Sequence, residues 1–372
     1  MKFTFQREEF LASFQIAATI APNRSTKSIL ESVKLEITDS HATFLATDME
    51  IAVRNGVEGI QVEVPGTILL PVARFVSFLR ECRDAELSLE VDHDAIIVRG
   101  KSSQVRFQAL NPDEFPEIVG FEETSFYRLP SARLKELIKR TVFATDVEST
   151  RYALGGVLLD FDDQLLTGVA TDGRRLAKME VAIEKEGEPG QQQTTTIVPT
   201  NNLQLMERSL PDGDVPVDVA PRQNDLLVRA GNIVIYSRLV DGRFPRWRDV
   251  FPERKSAIKI NVNVGPLYSA IRQAAVVANT ESRGIDFTFG DGSLVLSLTA
   301  ADVGDSRIEM PIEYDGEPVT ITLDFRYVMD FLKVLDAEKT IELEIEDDES
   351  AALCRTDDGY GYVIMPLSRD RR

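Results

Sequence analysis

The chain has 372 residues, enough for two to four domains, and 43% hydrophobic with 28% charged residues is an ordinary globular composition. Its 42 Lys and Arg against 61 Asp and Glu give a formal net charge of −19, which argues against a simple basic nucleic-acid binder. Two histidines and two distant cysteines, Cys82 and Cys354, supply neither His-based catalysis, nor a zinc site, nor a disulfide framework, so no metal or cofactor is expected.

Along the chain, the amino terminus lacks the apolar run of a secretory signal. No stretch reaches the roughly 18 apolar residues of a membrane span. A soluble, cytoplasmic protein with no membrane partner is therefore expected. A first helix is expected over 7–20. The run Ala42–Leu45 leads into Ala46-Thr47-Asp48, and Ile68-Leu69-Leu70-Pro71 runs into a second helix over 72–84 that contains Cys82. A hairpin follows, Ile96–Arg99 to Val105–Phe107, then the turn residues Asn111-Pro112-Asp113 and Phe115-Pro116.

The same landmarks then return. After a helix over 131–142, Leu165–Val169 leads into Ala170-Thr171-Asp172, Ile197-Val198-Pro199 runs into a helix over 200–210, and Leu226–Arg229 pairs with Ile233–Tyr236 before Phe244-Pro245. They return once more after Phe251-Pro252. A helix over 265–277 precedes Ser293–Leu298 and Ala300-Ala301-Asp302. Val319–Leu323 runs into a helix over 325–336, and Ala352–Arg355 pairs with Tyr362–Met365. Matching order at a near-constant period predicts three similar domains, 1–123, 124–253 and 254–372, each α+β with antiparallel sheets and two amphipathic helices. The acidic alternation from Glu342 to Glu349 reads as a solvent-facing strand.

The six helix windows hold 12 Lys and Arg against 8 Asp and Glu, so the excess acid lies outside them. If these helices share a surface, that surface is mildly basic and meets phosphate without reading bases. Gly100-Lys101-Ser102 lacks the upstream Gly of a P-loop and is followed by a strand pattern. Asp172-Gly173-Arg174-Arg175 is the densest polar motif. It reads either as a turn or as a phosphate-handling site, with no nucleophile nearby in sequence.

Three segments resemble the bacterial DNA polymerase III β subunits, the sliding clamps: Ala170–Ala177, Leu239–Pro245 and Val363–Leu367. With the threefold layout, the resemblance spans the chain. It implies a non-enzymatic processivity factor, a head-to-tail homodimeric ring with helices lining the hole and sheets outside. The implied partners are a second copy, double-stranded DNA without sequence preference, the replicative DNA polymerase, the clamp loader, and other replication and repair proteins carrying a clamp-binding motif. The family's apolar peptide pocket maps onto Leu154, Thr171, Gly173, Arg174, Arg175, Leu176, Pro245, Val250, Val363, Met365, Pro366 and Leu367, with Tyr327 at its edge. Arg24 and Arg80 match basic family positions facing DNA, and helix position adds Arg74, Lys139 and Arg208. The dimer seam would join the Val105–Ala109 strand, with Phe107 central and Ala109 at its end, to Val276 and Val277 of a second copy. The chain departs from the family at Arg174, often His there, at Ala153, often aromatic, and in the basic extension Ser368–Arg372. Two competing readings are a monomeric peptide-binding adaptor and a phosphate-handling enzyme using Asp172, Arg174 and Arg175.

Overall fold

The computed structural model describes residues 1–39, 41–148, 152–187, 195–251 and 257–367. The Pro252 turn, the 253/254 join and the Ser368–Arg372 extension lie outside them.

The repeated landmarks fold alike. Ala42–Thr47, Leu165–Thr171 and Ser293–Ala300 are strands. Strands Gly66–Pro71, Thr196–Pro199 and Val319–Asp324 run directly into helices Val72–Glu81, Thr200–Ser209 and Phe325–Lys333. Proline holds the extended residue before the first two helices. The third uses Asp324, whose carboxylate accepts from the Arg326 N–H at 3.0 Å and so satisfies an orphan donor of the first turn.

The remaining expected helices are Arg7–Ile20, Ser131–Thr141 and Val264–Ala274. Several helices end earlier than the sequence pattern predicts, at Glu81, Ala274 and Lys333. The helix expected to reach residue 84 stops at Glu81, because Asp84 turns to accept from the Ser103 hydroxyl at 2.7 Å and the Ser102 N–H at 3.3 Å. Cys82 is thus a cap residue beyond the helix. The four-residue helix Trp247–Val250 is too short for periodicity to reveal.

By compactness the chain divides into two units, residues 1–135 with 183–239, and residues 136–182 with 240–372. In the first, a five-stranded sheet runs Ile60–Val64, Lys2–Gln6, Glu86–Asp92, Ala95–Arg99, Gln104–Gln108. A nine-stranded sheet joins the first and second copies where Ile51–Val57 pairs with Ile233–Arg238. Helix Arg7–Ile20 packs on Val72–Glu81 and Thr200–Ser209 over an aromatic core. Phe10 lies 4.0 Å from Phe5 and 4.9 Å from Phe44, ring to ring.

In the second unit, a continuous run of strands pairs Gly156–Phe161, Leu165–Thr171, Arg175–Ala182, Tyr360–Ile364, Ala352–Arg355, Thr340–Ile345 and Ile258–Asn263. A four-stranded sheet carries Gly304–Pro311 at one edge. Two glycines mark the layering. A Cβ on Gly168 would meet Leu137 of the helix layer at 2.5 Å, and one on Gly361 would meet Phe251 on the opposite face at 2.3 Å. The acidic strand departs from the solvent-facing expectation at Glu344. It is buried and takes Arg355 Nε at 3.1 Å and Lys259 Nζ at 3.4 Å, because its face is covered and the two cations offset desolvation.

Candidate functional site

Strand Arg175–Ala182 lies antiparallel to Tyr360–Ile364, with Leu176 opposite Val363 and Lys178 opposite Gly361. Side chains alternate across a sheet, so Leu176, Lys178, Gly361 and Val363 share the face away from the helices. The segment after Val240 lies along that face. Phe251 caps Gly361 and lies under Lys178, whose ammonium is 4.8 Å from its ring, and Arg248 reaches Asp160 at 2.6 Å. Leu176 and Val363 are buried there as an apolar floor. Beyond the strand end, the Met365 N–H donates to the Arg174 carbonyl and the Leu367 N–H to the Thr322 carbonyl, both at 2.9 Å. That fixes the chain through Pro366, while Met365 stays 45% exposed and Leu367 exposed.

The Thr171–Arg175 turn is built as its residues dictate. Asp172 accepts from the Arg174 and Arg175 N–H groups at 2.9 and 3.0 Å. Gly173 supplies φ = 86°, a left-handed conformation costly to other residues. The Thr171 hydroxyl donates to the Arg175 carbonyl at 2.6 Å and accepts the Gly173 N–H at 3.0 Å. Arg174 is left projecting into solvent.

Arg175 points the other way, into the helix side of the sheet. Its side chain is only 9% exposed and pairs with Asp172 at 2.9 Å and Asp330 at 2.8 Å. It also donates to the Phe143 carbonyl at 2.7 Å and stacks 4.4 Å from the Tyr327 ring. Burial opposes its charge, but Tyr362, Asp330 and Asp172 around it outweigh that and push its pKa above the ordinary guanidinium value. This corrects the phosphate-handling reading, since the guanidinium has no free face to offer. Arg175 and its stacking partner Tyr327 lie behind the turn, on the helix side of the sheet, and do not share the Leu176–Val363 face.

Leu154, 5% exposed, and Pro245 meet in a concavity of about 350 Å³ lined also by Ala153, Arg243, Phe244 and Arg246. Phe244 is buried, and the Trp247 N–H donates to the Pro245 carbonyl at 2.8 Å, closing a tight turn in the wall. Val250, in the following helix, is 47% exposed. Sequence reasoning omitted Arg243, Phe244 and Arg246 from the site. The first two stand inside the Leu239–Pro245 landmark, and Arg246 follows it.

The nucleic-acid candidates are all exposed. In the first unit Arg24 sits on the loop after helix Arg7–Ile20, Arg74 and Arg80 on Val72–Glu81, and Arg208 near the end of Thr200–Ser209. In the second, Lys139 sits in the last turn of Ser131–Thr141. Among the described residues none of the five makes an ion pair. Other helix cations are committed. Arg140 is buried between Glu136 and Asp358, Lys135 holds Asp212, and Arg326 holds Asp324. The charge free to meet phosphate is therefore smaller than the sequence count.

Gln104–Gln108 is an edge strand of its sheet, with Ala109 following it. Its one buried residue is Phe107, packed 5.8 Å from Phe75 and 6.5 Å from Phe78. The side chain expected at the centre of a seam thus belongs to the core. Val276 is 79% exposed and Val277 half-buried, on the turn after helix Val264–Ala274. The Ser306 hydroxyl, donating to the Ala274 carbonyl at 2.7 Å, ties that turn to the edge strand Gly304–Pro311.

Comparison with known proteins matches three family models across the chain. They are the DNA polymerase III beta subunit N-terminal domain at residues 1–119, central domain at 128–246 and C-terminal domain at 248–368. The beta sliding clamps of Pseudomonas putida and Escherichia coli are 28% and 27% identical over 370 residues, covering 99% of this chain and all of theirs. The Bacillus subtilis sliding clamp structure superimposes with a TM-score of 0.91 at 26% identity, covering 99% of each chain. A Pseudomonas aeruginosa sliding clamp bound to griselimycin gives 0.89 at 26%, again covering 99% of each. The chain has the three-domain clamp fold and belongs to the DNA polymerase III β subunit family, whose members are non-catalytic processivity factors of DNA polymerase.

Proposed function

We propose that two copies close head to tail into a ring around duplex DNA, with domains 1–123, 124–253 and 254–372. The ring holds the replicative polymerase, the clamp loader and motif-bearing repair proteins through the Leu176–Val363 face. The loader opens the ring with ATP, and the ring works in the cytoplasm, on the nucleoid. The observation that carries the peptide-binding part is the register that sets Leu176 against Val363 on an outward face. That floor is buried, while Met365 and Val250 beside it are about half exposed. An apolar floor with an adaptable Met rim suits Leu and Phe anchors of a short peptide.

Two edge strands, Gln104–Gln108 and Gly304–Pro311, support the ring, because pairing them between copies would remove two unpaired backbone edges. Arg24, Arg74, Arg80, Lys139 and Arg208 would meet phosphates weakly, with ring closure supplying retention.

The pocket is tested by titrating a labelled Leu- and Phe-bearing clamp-motif peptide against the wild type and Met365→Ala. Met365 is a partly exposed rim residue, so the variant should keep its melting temperature and lose about 1–2 kcal/mol of binding. Unchanged affinity would remove the pocket assignment. Leu154→Ala is the poorer probe, since truncating a buried Leu also costs about 2–5 kcal/mol of fold stability.

A further inference from the structure

We infer that the junction of the first and second copies holds a second seat for a peptide with Leu and Phe anchors, kept shut by Ile29 and Tyr236. The inference rests on the peptide-binding reading of the Leu176–Val363 face and extends it to a place where the chain supplies its own filling. The Thr47–Ile51 turn is built like the Thr171–Arg175 turn. The Thr47 hydroxyl donates to the Ile51 carbonyl at 2.8 Å and accepts the Met49 N–H at 2.9 Å. Asp48 accepts from the Glu50 and Ile51 N–H groups at 2.9 and 2.8 Å. Met49 stands where Gly173 stands and keeps the same left-handed backbone, φ = 83°, at a steric cost that glycine does not incur. The Arg238 N–H donates to the Glu50 carbonyl at 2.9 Å, as the Met365 N–H does to the Arg174 carbonyl.

The counterparts continue along the chain. Ile29, Leu30 and Ala52 stand 124 residues before Ala153, Leu154 and Leu176. Leu30 is buried in the short helical turn Ser28–Glu31, as Leu154 is in Tyr152–Gly155. Tyr236 lies opposite Ala52 in the strand register, as Val363 lies opposite Leu176. Phe115 is buried before Pro116, as Phe244 is before Pro245. Side-chain volume is what differs. Ala153 lines the concavity of about 350 Å³. Ile29 and Tyr236 instead pack against Leu30, Leu45, Ala52, Leu69, Phe115 and Ile118, each at most 9% exposed. The Arg54 guanidinium donates to the Ile118 carbonyl at 3.0 Å and pins that segment over the cluster. Close packing gives one volume to one occupant, so two side chains decide whether anchors enter a seat whose backbone is already built. Truncating them leaves the turn, the register and the Leu30 floor in place.

The test is a saturation titration of a labelled Leu- and Phe-bearing clamp-motif peptide, read as peptides bound per chain. The wild type should take up one. Ile29→Ala with Tyr236→Val should take up two, and adding Met365→Ala to that variant should weaken only one of them. A photoreactive benzoyl-phenylalanine at the Phe anchor should crosslink the second peptide to the 28–31 or 115–118 segment. One peptide per chain in an opened variant that still unfolds cooperatively would overturn the inference and leave the pocket intact. Two peptides per wild-type chain would overturn the closed state. Where the double truncation unfolds the junction, the reverse exchange decides. Ala153→Ile should fill the open concavity and weaken the wild-type site about tenfold or more without lowering the melting temperature. Unchanged affinity in Ala153→Ile would overturn the inference, because bulk at that position would then not govern entry. No binding by the wild type would overturn the peptide-binding reading and the inference with it.

Discussion

A guanidinium has five N–H donors, and Arg175 spends its donors on Asp172, Asp330, Tyr362 and the Phe143 carbonyl while its faces meet Tyr327 and Phe143. Removing it strands two carboxylates at the back of the turn. Arg175→Ala should lower unfolding stability by about 3 kcal/mol in urea titration. Asp330→Asn should cost only about 1 kcal/mol, because Asp330 is a third exposed and Arg175 keeps Asp172. Equal losses would mean that Arg175 is not the hub. The Asp172–Arg175 motif was legible in sequence as a turn, since Asp and Gly impose it locally. The role of Arg175 was not, because Asp330 is 155 residues away and only the fold brings it near. The cysteines are a similar case. Cys354 is buried, which pushes its thiol up to about 12, but Cys82 is half-buried at the helix end. A thiol reagent should modify one cysteine in the native protein, Cys82, and reach Cys354 only on unfolding.

At the scale of elements, the strand Gln104–Gln108 shows what alternation can and cannot tell. Its edge position decides that it is available for pairing, while its period-two pattern turns Phe107 into the core. Phe107→Arg should therefore unfold the amino-terminal domain, a cost of about 3–5 kcal/mol for a buried unpaired charge. Val276→Asp should leave the melting temperature nearly unchanged and weaken self-association. A Val276→Asp protein that stays dimeric at micromolar concentration would move the seam elsewhere. The three landmarks per copy were legible because each is local: an apolar strand, a stop, an amphipathic run. Which strands join across copies was not, because Arg175–Ala182 and Tyr360–Ile364 meet only after each has formed.

The hairpin before Tyr360 also carries a pH signature. Burial raises the affinity of Asp358 for a proton, but hydrogen bonds from Lys339, Thr356 and Arg140 outweigh it and hold the carboxyl well below the usual range. With the folded pKa below an unfolded value near ~4, its contribution is complete above about pH 4 and fades as pH falls toward the folded pKa. Asp358→Asn should be less stable at neutral pH and show a flatter acid limb. An acid limb parallel to that of the wild type would remove Asp358 as its source.

For the whole molecule, the proposed ring would divide the work of holding DNA between charge and topology. A chain of net −19 with a few unpaired helix cations binds phosphate weakly, and each contact released by salt weakens it further. An open or monomeric form should therefore leave DNA quickly as ionic strength rises. A closed ring has no such path, because leaving requires a seam to open or an end to be reached. Scattering from the purified protein should give a particle of about 83 kDa, twice the 41.5 kDa chain. A particle near the monomer mass would remove the constitutive ring. Loaded by a clamp loader with ATP onto nicked circular DNA, the protein should survive a high-salt wash that strips it from linear DNA of the same length. Arg24→Ala with Arg80→Ala should lower loading or sliding efficiency but leave retention on the circle unchanged, since those contacts guide and closure retains. Equal loss from circle and line would mean that electrostatic affinity, not enclosure, keeps the protein on DNA.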